Sequence, residues 1–276
     1  MTYILYNPLA NSGHGEYGVK DVQTACAADR PETLDITTLD TAAFFAERTA
    51  EDKIILCGGD GTIHRLVNDL EDRPPAAPIY IWRFGTGNDF LRDAAAADET
   101  MVLLNEHMNR LPSAEVQGKT HWYLNGCSVG VDAVVCGMMR DNLTKTKKSS
   151  YVSNALRSFF QRYKPMRGRV TVDGEARDYE KLWMAASMNG HYQGGGMNFA
   201  PHQDRNGDTL TCMVWHGTSA LGTLLRFPFV IPGKHTGFAA CEMRVGHEIT
   251  VELESPTMLQ MDGEVIEGVT GYTARK

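Results

Sequence analysis

Residues 54–62 read Ile54-Ile55-Leu56-Cys57-Gly58-Gly59-Asp60-Gly61-Thr62: an apolar run, then three glycines, a carboxylate and a hydroxyl within five positions. Glycines let the backbone turn sharply and come close to a ligand. A strand that runs through such a loop into a helix aims several N–H groups at one point, which suits a phosphate. Asp60 does not suit a bare phosphate cradle, because it repels an anion unless a metal ion or a positioned proton lies between them. The segment therefore points to metal–nucleotide chemistry on an α/β scaffold.

Working outward, the flanking sequence alternates in the same style. Tyr3–Tyr6, Thr33–Thr37, Lys53–Cys57 and Ile79–Trp82 read as strands; Gly15–Ala28, Thr41–Ala50 and Thr62–Leu70 read as helices. The last of those strands leads into a second glycine loop, Gly85-Thr86-Gly87-Asn88-Asp89-Phe90, and a helical start at Leu91. The loop after the first strand, Asn7-Pro8-Leu9-Ala10-Asn11-Ser12-Gly13-His14-Gly15, also carries amides, a hydroxyl and glycines fit for a nucleotide. Such alternation predicts a parallel sheet with ligand loops at the C-terminal ends of its strands.

After Pro112 the pattern changes. Trp122–Asn125, Gly168–Val172, Leu182–Met188, Thr209–Trp215, Glu242–Val245 and Ile249–Leu253 read as short strands, with a hairpin turn at Asp173-Gly174 and one helix at Ser149–Tyr163. The expected fold is an N-terminal α/β domain with a parallel sheet over residues 1–112, followed by a mainly antiparallel β-sandwich domain over residues 113–265.

At 276 residues the chain is long enough for two domains with real cores. Hydrophobic content of 42% and charged content of 22% describe a soluble globular protein, with no apolar run of membrane-span length. The start of the sequence reads as a strand rather than a signal peptide. Its six cysteines are dispersed without a C-x-x-C pair, which predicts reduced thiols and a cytoplasmic location. Net charge is −7, yet between Arg140 and Arg169 nine Lys/Arg face a single acid, Asp141. That segment is expected to meet an anionic membrane surface, making the protein peripherally membrane-associating. Nucleic acid is not an expected partner, since no zinc-finger spacing or aromatic RNP-like motif is present. A homodimer is compatible with the sequence.

Further carboxylates stand in marked settings. Asp132 lies in the small, apolar run Asn125-Gly126-Cys127-Ser128-Val129-Gly130-Val131-Asp132-Ala133. Met261-Asp262-Gly263-Glu264 is a turn with two acids. Asp204-Arg205-Asn206-Gly207-Asp208 is oxygen-rich but lacks the length and distal Glu of an EF-hand.

Together these motifs resemble the diacylglycerol kinase catalytic-domain family, which includes bacterial soluble lipid kinases and sphingosine kinases. The resemblance runs in order through Asn7-Pro8…Ser12-Gly13, Gly58–Thr62, Gly85–Phe90, Ser128–Ala133, Gly194-Gly195-Gly196 with Pro201, and Asp262-Gly263-Glu264. It implies a two-domain lipid/NAD-kinase-like fold with residues 266–276 returning to the first domain. It implies ATP on Asn7, Ser12, Gly13, Gly58, Gly59, Asp60, Gly61, Thr62, Gly85, Thr86, Gly87 and Asn88, flanked by Thr37. Asp60, Asp89 and Asp132 would hold Mg²⁺ through water. Glu264 or Asp262 would accept the proton of the substrate hydroxyl. Asp204 and Asp208 would bind a structural Mg²⁺. Two departures are His64, where the family has Asn, and the order Gly207-Asp208, where the family has Asp-Gly.

The function so implied is an ATP-dependent lipid kinase that transfers the γ-phosphate to a membrane lipid, diacylglycerol giving phosphatidic acid. Two alternatives stand beside it: a soluble NAD-kinase-like enzyme, whose relatives share the G-G-D-G loop, and a non-catalytic lipid- or nucleotide-binding regulator.

Overall fold

Five strands form the first sheet: β1 (Thr2–Tyr6), β2 (Glu32–Asp35), β3 (Lys53–Cys57), β4 (Ile79–Trp82) and β5 (Met101–Leu103), in the order β2-β1-β3-β4-β5. The first four run parallel, and β5 closes the edge antiparallel to β4. Ile54, Ile55, Leu56 and Cys57 are all buried, as a central strand covered on both faces requires. In the computed structural model of the chain, residues 1–8, 10, 15–71, 73–83, 88–95, 99–143 and 163–276 are described. Two units divide it, Met1–Leu111 and Pro112–Lys276.

Helices α1 (Gly15–Ala25), α2 (Thr41–Ala46), α3 (Asp60–Asp69), α4 (Asp89–Ala94) and α5 (Asn105–Met108) connect and flank this sheet. Asp40 starts α2 by accepting the N–H of Ala43 at 3.0 Å. That helix is shorter than its apolar spacing suggests, because the Asp52 carboxylate takes the N–H of Thr49 at 2.9 Å and turns the chain into β3. The α3 helix starts at Asp60, two residues before Thr62, and His64 is buried within it; Asn68 Nδ2 donates to the carbonyl of His64 at 2.8 Å.

The second unit holds β6 (Ser113–Val116), β7 (Lys119–Trp122), β8 (Gly126–Gly130), β9 (Met166–Val172), β10 (Glu175–Met188), the small pair β11 (Tyr192–Gln193) and β12 (Met197–Asn198), then β13 (Leu210–His216), β14 (Cys241–Gly246), β15 (Glu248–Met261) and β16 (Glu264–Arg275). Among the described residues two α-helices interrupt them, α6 (Val131–Leu143) and α7 (Ala220–Arg226). Every strand pair in this unit is antiparallel.

The long strands β10 and β15 make the layers. Each pairs with β9 along its first half and with β8 along its last few residues, with register shifts between. Bulges bend and twist a strand, and the bent pair folds over a core that includes Val129, Val170, Leu182, Ala185, Leu210, Val214, Val251 and Leu259. The Asp173-Gly174 turn has φ of 48° and 83°, the double left-handed setting of a tight hairpin.

One expectation is corrected. Residues 266–276 do not return to the first domain: β16 pairs along β15 and, at Thr273–Arg275, with β6 of the second unit. Val269, Tyr272 and Ala274 are buried in that unit's core, and the apolar alternation of the strand fixes the choice. The expected helix at 149–163 and most of the basic 140–169 segment lie outside the described residues.

Candidate active site

In the first unit, four predicted ligand segments leave the C-terminal edge of the sheet: Asn7 after β1, Thr37 after β2, Gly58–Thr62 after β3, and Asn88-Asp89 after β4. Strand order reverses between β1 and β3, and ligands of open α/β sheets bind at such a switch point. There Asn7 Nδ2 donates to Thr62 Oγ1 at 3.0 Å, and Asn7 N–H to the Cys57 carbonyl at 3.3 Å.

The glycines of the first loop do separate work. A Cβ on Gly58 would stand 2.5 Å from Thr62 Cβ, so only glycine lets the loop close on its helix. A Cβ on Gly59 would meet nothing within 4 Å, and Gly59 precedes α3 without any side-chain cap. An uncapped helix start beside open space is a fitting seat for an anion.

Asp60 has a second task there. Its Oδ2 accepts the N–H of Asp89 and its Oδ1 the N–H of Phe90, both at 2.9 Å. Asp60 is thereby the acceptor that caps α4, whose own N-cap Asn88 sits at φ 47° with no capping side chain. Asp89 is buried and Phe90 fully so, the Phe90 ring standing edge-on to His107 at 5.2 Å. Thr37 is exposed and folded onto Asp35 Oδ1 through its N–H (2.8 Å) and hydroxyl (2.7 Å). Ser12, Gly13, Gly85, Thr86 and Gly87 lie outside the described residues.

In the second unit Asp132 stands in the first turn of α6, directly after β8. Ser128 donates its hydroxyl to Asp132 Oδ2. Gln193 Nε2 lies 3.1 Å from both Ser128 Oγ and Asp132 Oδ2, and Gln260 Nε2 lies 2.8 Å and 3.4 Å from the same two atoms. The residue as a whole is half-buried, but its Oδ1 is shut off from solvent and has no hydrogen-bond partner among the described residues. Burial pushes the Asp132 carboxyl up to about 6, against the pull of the Ser128 and Gln260 donors.

The turn between β15 and β16 separates the two carboxylates expected to share a role. Asp262 accepts three main-chain N–H groups, from Leu124 (2.7 Å), Asn125 (2.8 Å) and Gly126 (3.2 Å), and is buried. The strand expected over Trp122–Asn125 therefore stops at Trp122, because the N–H groups of Leu124, Asn125 and Gly126 turn to Asp262 while that of Tyr123 goes to the Pro112 carbonyl. Buried Arg205 braces the same stretch through the carbonyl of Leu124 (2.6 Å) and Asn125 Oδ1 (2.7 Å). Gly263 is held by Gln260 Oε1 at 3.1 Å and by the thiol of Cys136 on α6 at 3.3 Å. Of the two carboxylates Glu264 is the exposed one, and it makes no hydrogen bond or ion pair among the described residues.

Sequence reasoning did not single out Gln193, Gln260 or Arg205. Gln260 carried a signal, a polar residue between Leu259 and Met261 in a strand that is otherwise apolar there. Asp204 Oδ1 accepts the N–H of Asn206 at 2.9 Å, and Asp208 offers its carbonyl to His247 Nδ1 at 2.9 Å. Among the described residues no three His, Cys, Asp or Glu side chains gather into a metal cluster.

The chain is similar to known proteins. Residues 1–116 match the family described as diacylglycerol kinase catalytic domain, and residues 125–274 match the YegS C-terminal NAD kinase beta sandwich-like domain. The Bacillus subtilis (strain 168) protein named "Putative lipid kinase YtlR" is 23% identical over 239 residues, covering 80% of this chain and 76% of that one. A Pseudomonas fluorescens (strain Pf0-1) protein named "Probable lipid kinase YegS-like" is 24% identical over 229 residues, covering 78% and 70%. Among solved structures, a diacylglycerol kinase from Bacillus anthracis str. Sterne superposes with a TM-score of 0.66 at 18% identity, covering 99% of this chain and 92% of its own.

Proposed function

This chain belongs to the lipid kinase family that joins a diacylglycerol kinase catalytic domain to a YegS C-terminal domain, and we propose that it phosphorylates the hydroxyl of a membrane lipid from ATP, diacylglycerol being the acceptor. The observation that carries the nucleotide half is the Asp60 carboxylate, which draws the second glycine loop's helix to the first loop at the switch point of the sheet. The residues present fit Mg–ATP. Mg²⁺ is held by one or two carboxylates together with water and phosphate oxygens rather than by a full protein cage, and Asp60 with Asp89 offers such a pair. When bound, Mg²⁺ would neutralise charge on the phosphates during transfer.

The protein's own share is positioning. Asn7 and Thr62 fix the mouth of the first loop, and Gly59 leaves the start of α3 open to a phosphate. Asp60 aligns α4 and the residues before it. Glu264 is the better proton acceptor of the turn pair, since a general base needs free reach to the hydroxyl and Asp262 is committed to three N–H groups. Asp132, held by Ser128, Gln193 and Gln260, is a positioning carboxylate in the second unit.

The test is incubation with labelled ATP, Mg²⁺ and total membrane lipid extract. Label recovered in the organic phase and identified as phosphatidic acid supports the reading. Label confined to an aqueous product such as a phosphorylated dinucleotide would replace it with a soluble kinase, and ATP binding with no transfer would leave a regulator.

A further inference from the structure

Among the described residues six large hydrophobic side chains are conspicuously exposed, and four of them fall within eleven residues: Leu221 (65%), Leu225 (64%), Phe229 (46%) and Ile231 (59%). Leu221 and Leu225 are one helical turn apart on α7. The 3₁₀ turn Phe227–Val230 follows at once and carries Phe229. The segment is firmly seated on its other side. Thr223, Val230 and His235 are fully buried, and the Phe227 and Phe238 rings pack edge-on to Trp215 at 6.1 and 6.4 Å. A structural segment with an anchored inner face has no need of an apolar outer one, and an exposed cluster of this kind marks an interaction surface.

Charge says what the surface meets. No Asp or Glu occurs between Asp208 and Glu242, although the chain as a whole carries −7. The cations in that interval are Arg226 and Lys234, both exposed and neither ion-paired among the described residues. Apolar side chains interleaved with cations and free of acids are the composition of an interfacial element on anionic lipid. A second copy of the chain is a poorer occupant, since a two-fold contact would set this patch, cations included, against itself.

We propose that residues 220–234 are the surface by which this protein docks on an anionic lipid bilayer, with Leu221, Leu225, Phe229 and Ile231 entering the headgroup region and Arg226 and Lys234 meeting lipid phosphates. The choice of a bilayer as occupant rests on the lipid-kinase reading above. It is a different stretch of sequence from the basic 140–169 segment.

The experiment is co-sedimentation of the full chain with phosphatidylcholine vesicles and with vesicles that also carry phosphatidylglycerol. The protein should prefer the anionic vesicles. Leu221→Ser with Leu225→Ser and Phe229→Ser should weaken partitioning on them by about tenfold or more, and Arg226→Glu with Lys234→Glu should remove the preference for phosphatidylglycerol. Both variants change only exposed groups, and unchanged thermal melting will show that they fold. Wild-type partitioning by both variants overturns the proposal, as does a dimer in sedimentation velocity that the serine variant dissolves. Phosphorylation of a water-dispersed short-chain diacylglycerol is measured alongside. Turnover of that substrate without vesicle binding sinks the docking surface and keeps the kinase; vesicle binding through these residues with no lipid phosphorylated does the reverse.

Discussion

The main-chain N–H of Phe90 donates to Oδ1 of Asp60 across 2.9 Å and 30 residues of sequence. With its twin from Asp89 to Oδ2, this bond makes Asp60 a scaffold for the second loop before any ligand arrives. A carboxylate so used still has a second lone pair on each oxygen, so the scaffold and metal roles are compatible.

Asp60→Ala therefore has two expected effects. Loss of two charge-assisted bonds should lower stability by about 2–4 kcal/mol, seen as a reduced urea midpoint. Phosphoryl transfer should fall at least about 100-fold. Asp60→Asn keeps an acceptor, so it should recover much of the stability and little of the activity. An alanine variant as stable as wild type would refute the scaffold role.

The two acids of the β15–β16 turn should separate cleanly. Asp262→Ala strands three N–H groups and should cost about 3–5 kcal/mol, with lost solubility or a broadened melt. Glu264→Gln should melt like wild type while kcat drops about 100-fold or more. Equal activity losses with equal stability in both variants would mean that the division of labour is wrong.

Asp132 predicts a pH dependence of stability. An unfolded Asp titrates near 3.8, whereas burial raises the folded carboxyl to about 6. Between those values the native state keeps a proton that the unfolded chain has lost, so this group's contribution falls as pH rises from about 4 to about 6 and is level above. The full swing is at most about 3 kcal/mol. Asp132→Asn should gain on wild type across that window, measured as urea midpoints in chelator; parallel curves for the two proteins would exclude the effect.

Gly130 holds the β8–α6 corner at φ 114°, and a Cβ there would stand 2.3 Å from the Trp183 carbonyl. Backbone cannot yield as a flexible side chain can. Gly130→Ala should destabilise by about 2–4 kcal/mol and shift Asp132 away from Gln260. Gly59→Ala, with open space at its Cβ, should fold normally, and its melting curve is the control.

Much of the first unit was legible in the sequence because its signals are local. An apolar run such as Ile54–Cys57 followed by glycines and a helical pattern names a strand, a loop and a helix at once. The edge strand Met101–Leu103 was missed, being only three residues long and set by pairing with β4. In the second unit the turns were readable, Asp173-Gly174 above all, but not the partners. Nothing near Glu264 in the sequence says that its strand joins β6. Nor does spacing reveal that Asp262 serves Leu124, Asn125 and Gly126, 136–138 residues away. Long-range partners of this sort are fixed by register and burial, which one sequence displays only as alternation.

The pairing of Thr273 with Glu115 has a consequence for biosynthesis. A ribosome releases residues 1–111 early, and their sheet uses partners already made. The second sheet must wait for β16, because β6 and β15 both border it. During that interval the half-finished sandwich offers an open strand edge, the state most prone to misassociation in slow, non-local β topologies. The turn that carries Glu264 opens that last strand, so the growing polypeptide gains this exposed carboxylate only as the sandwich closes.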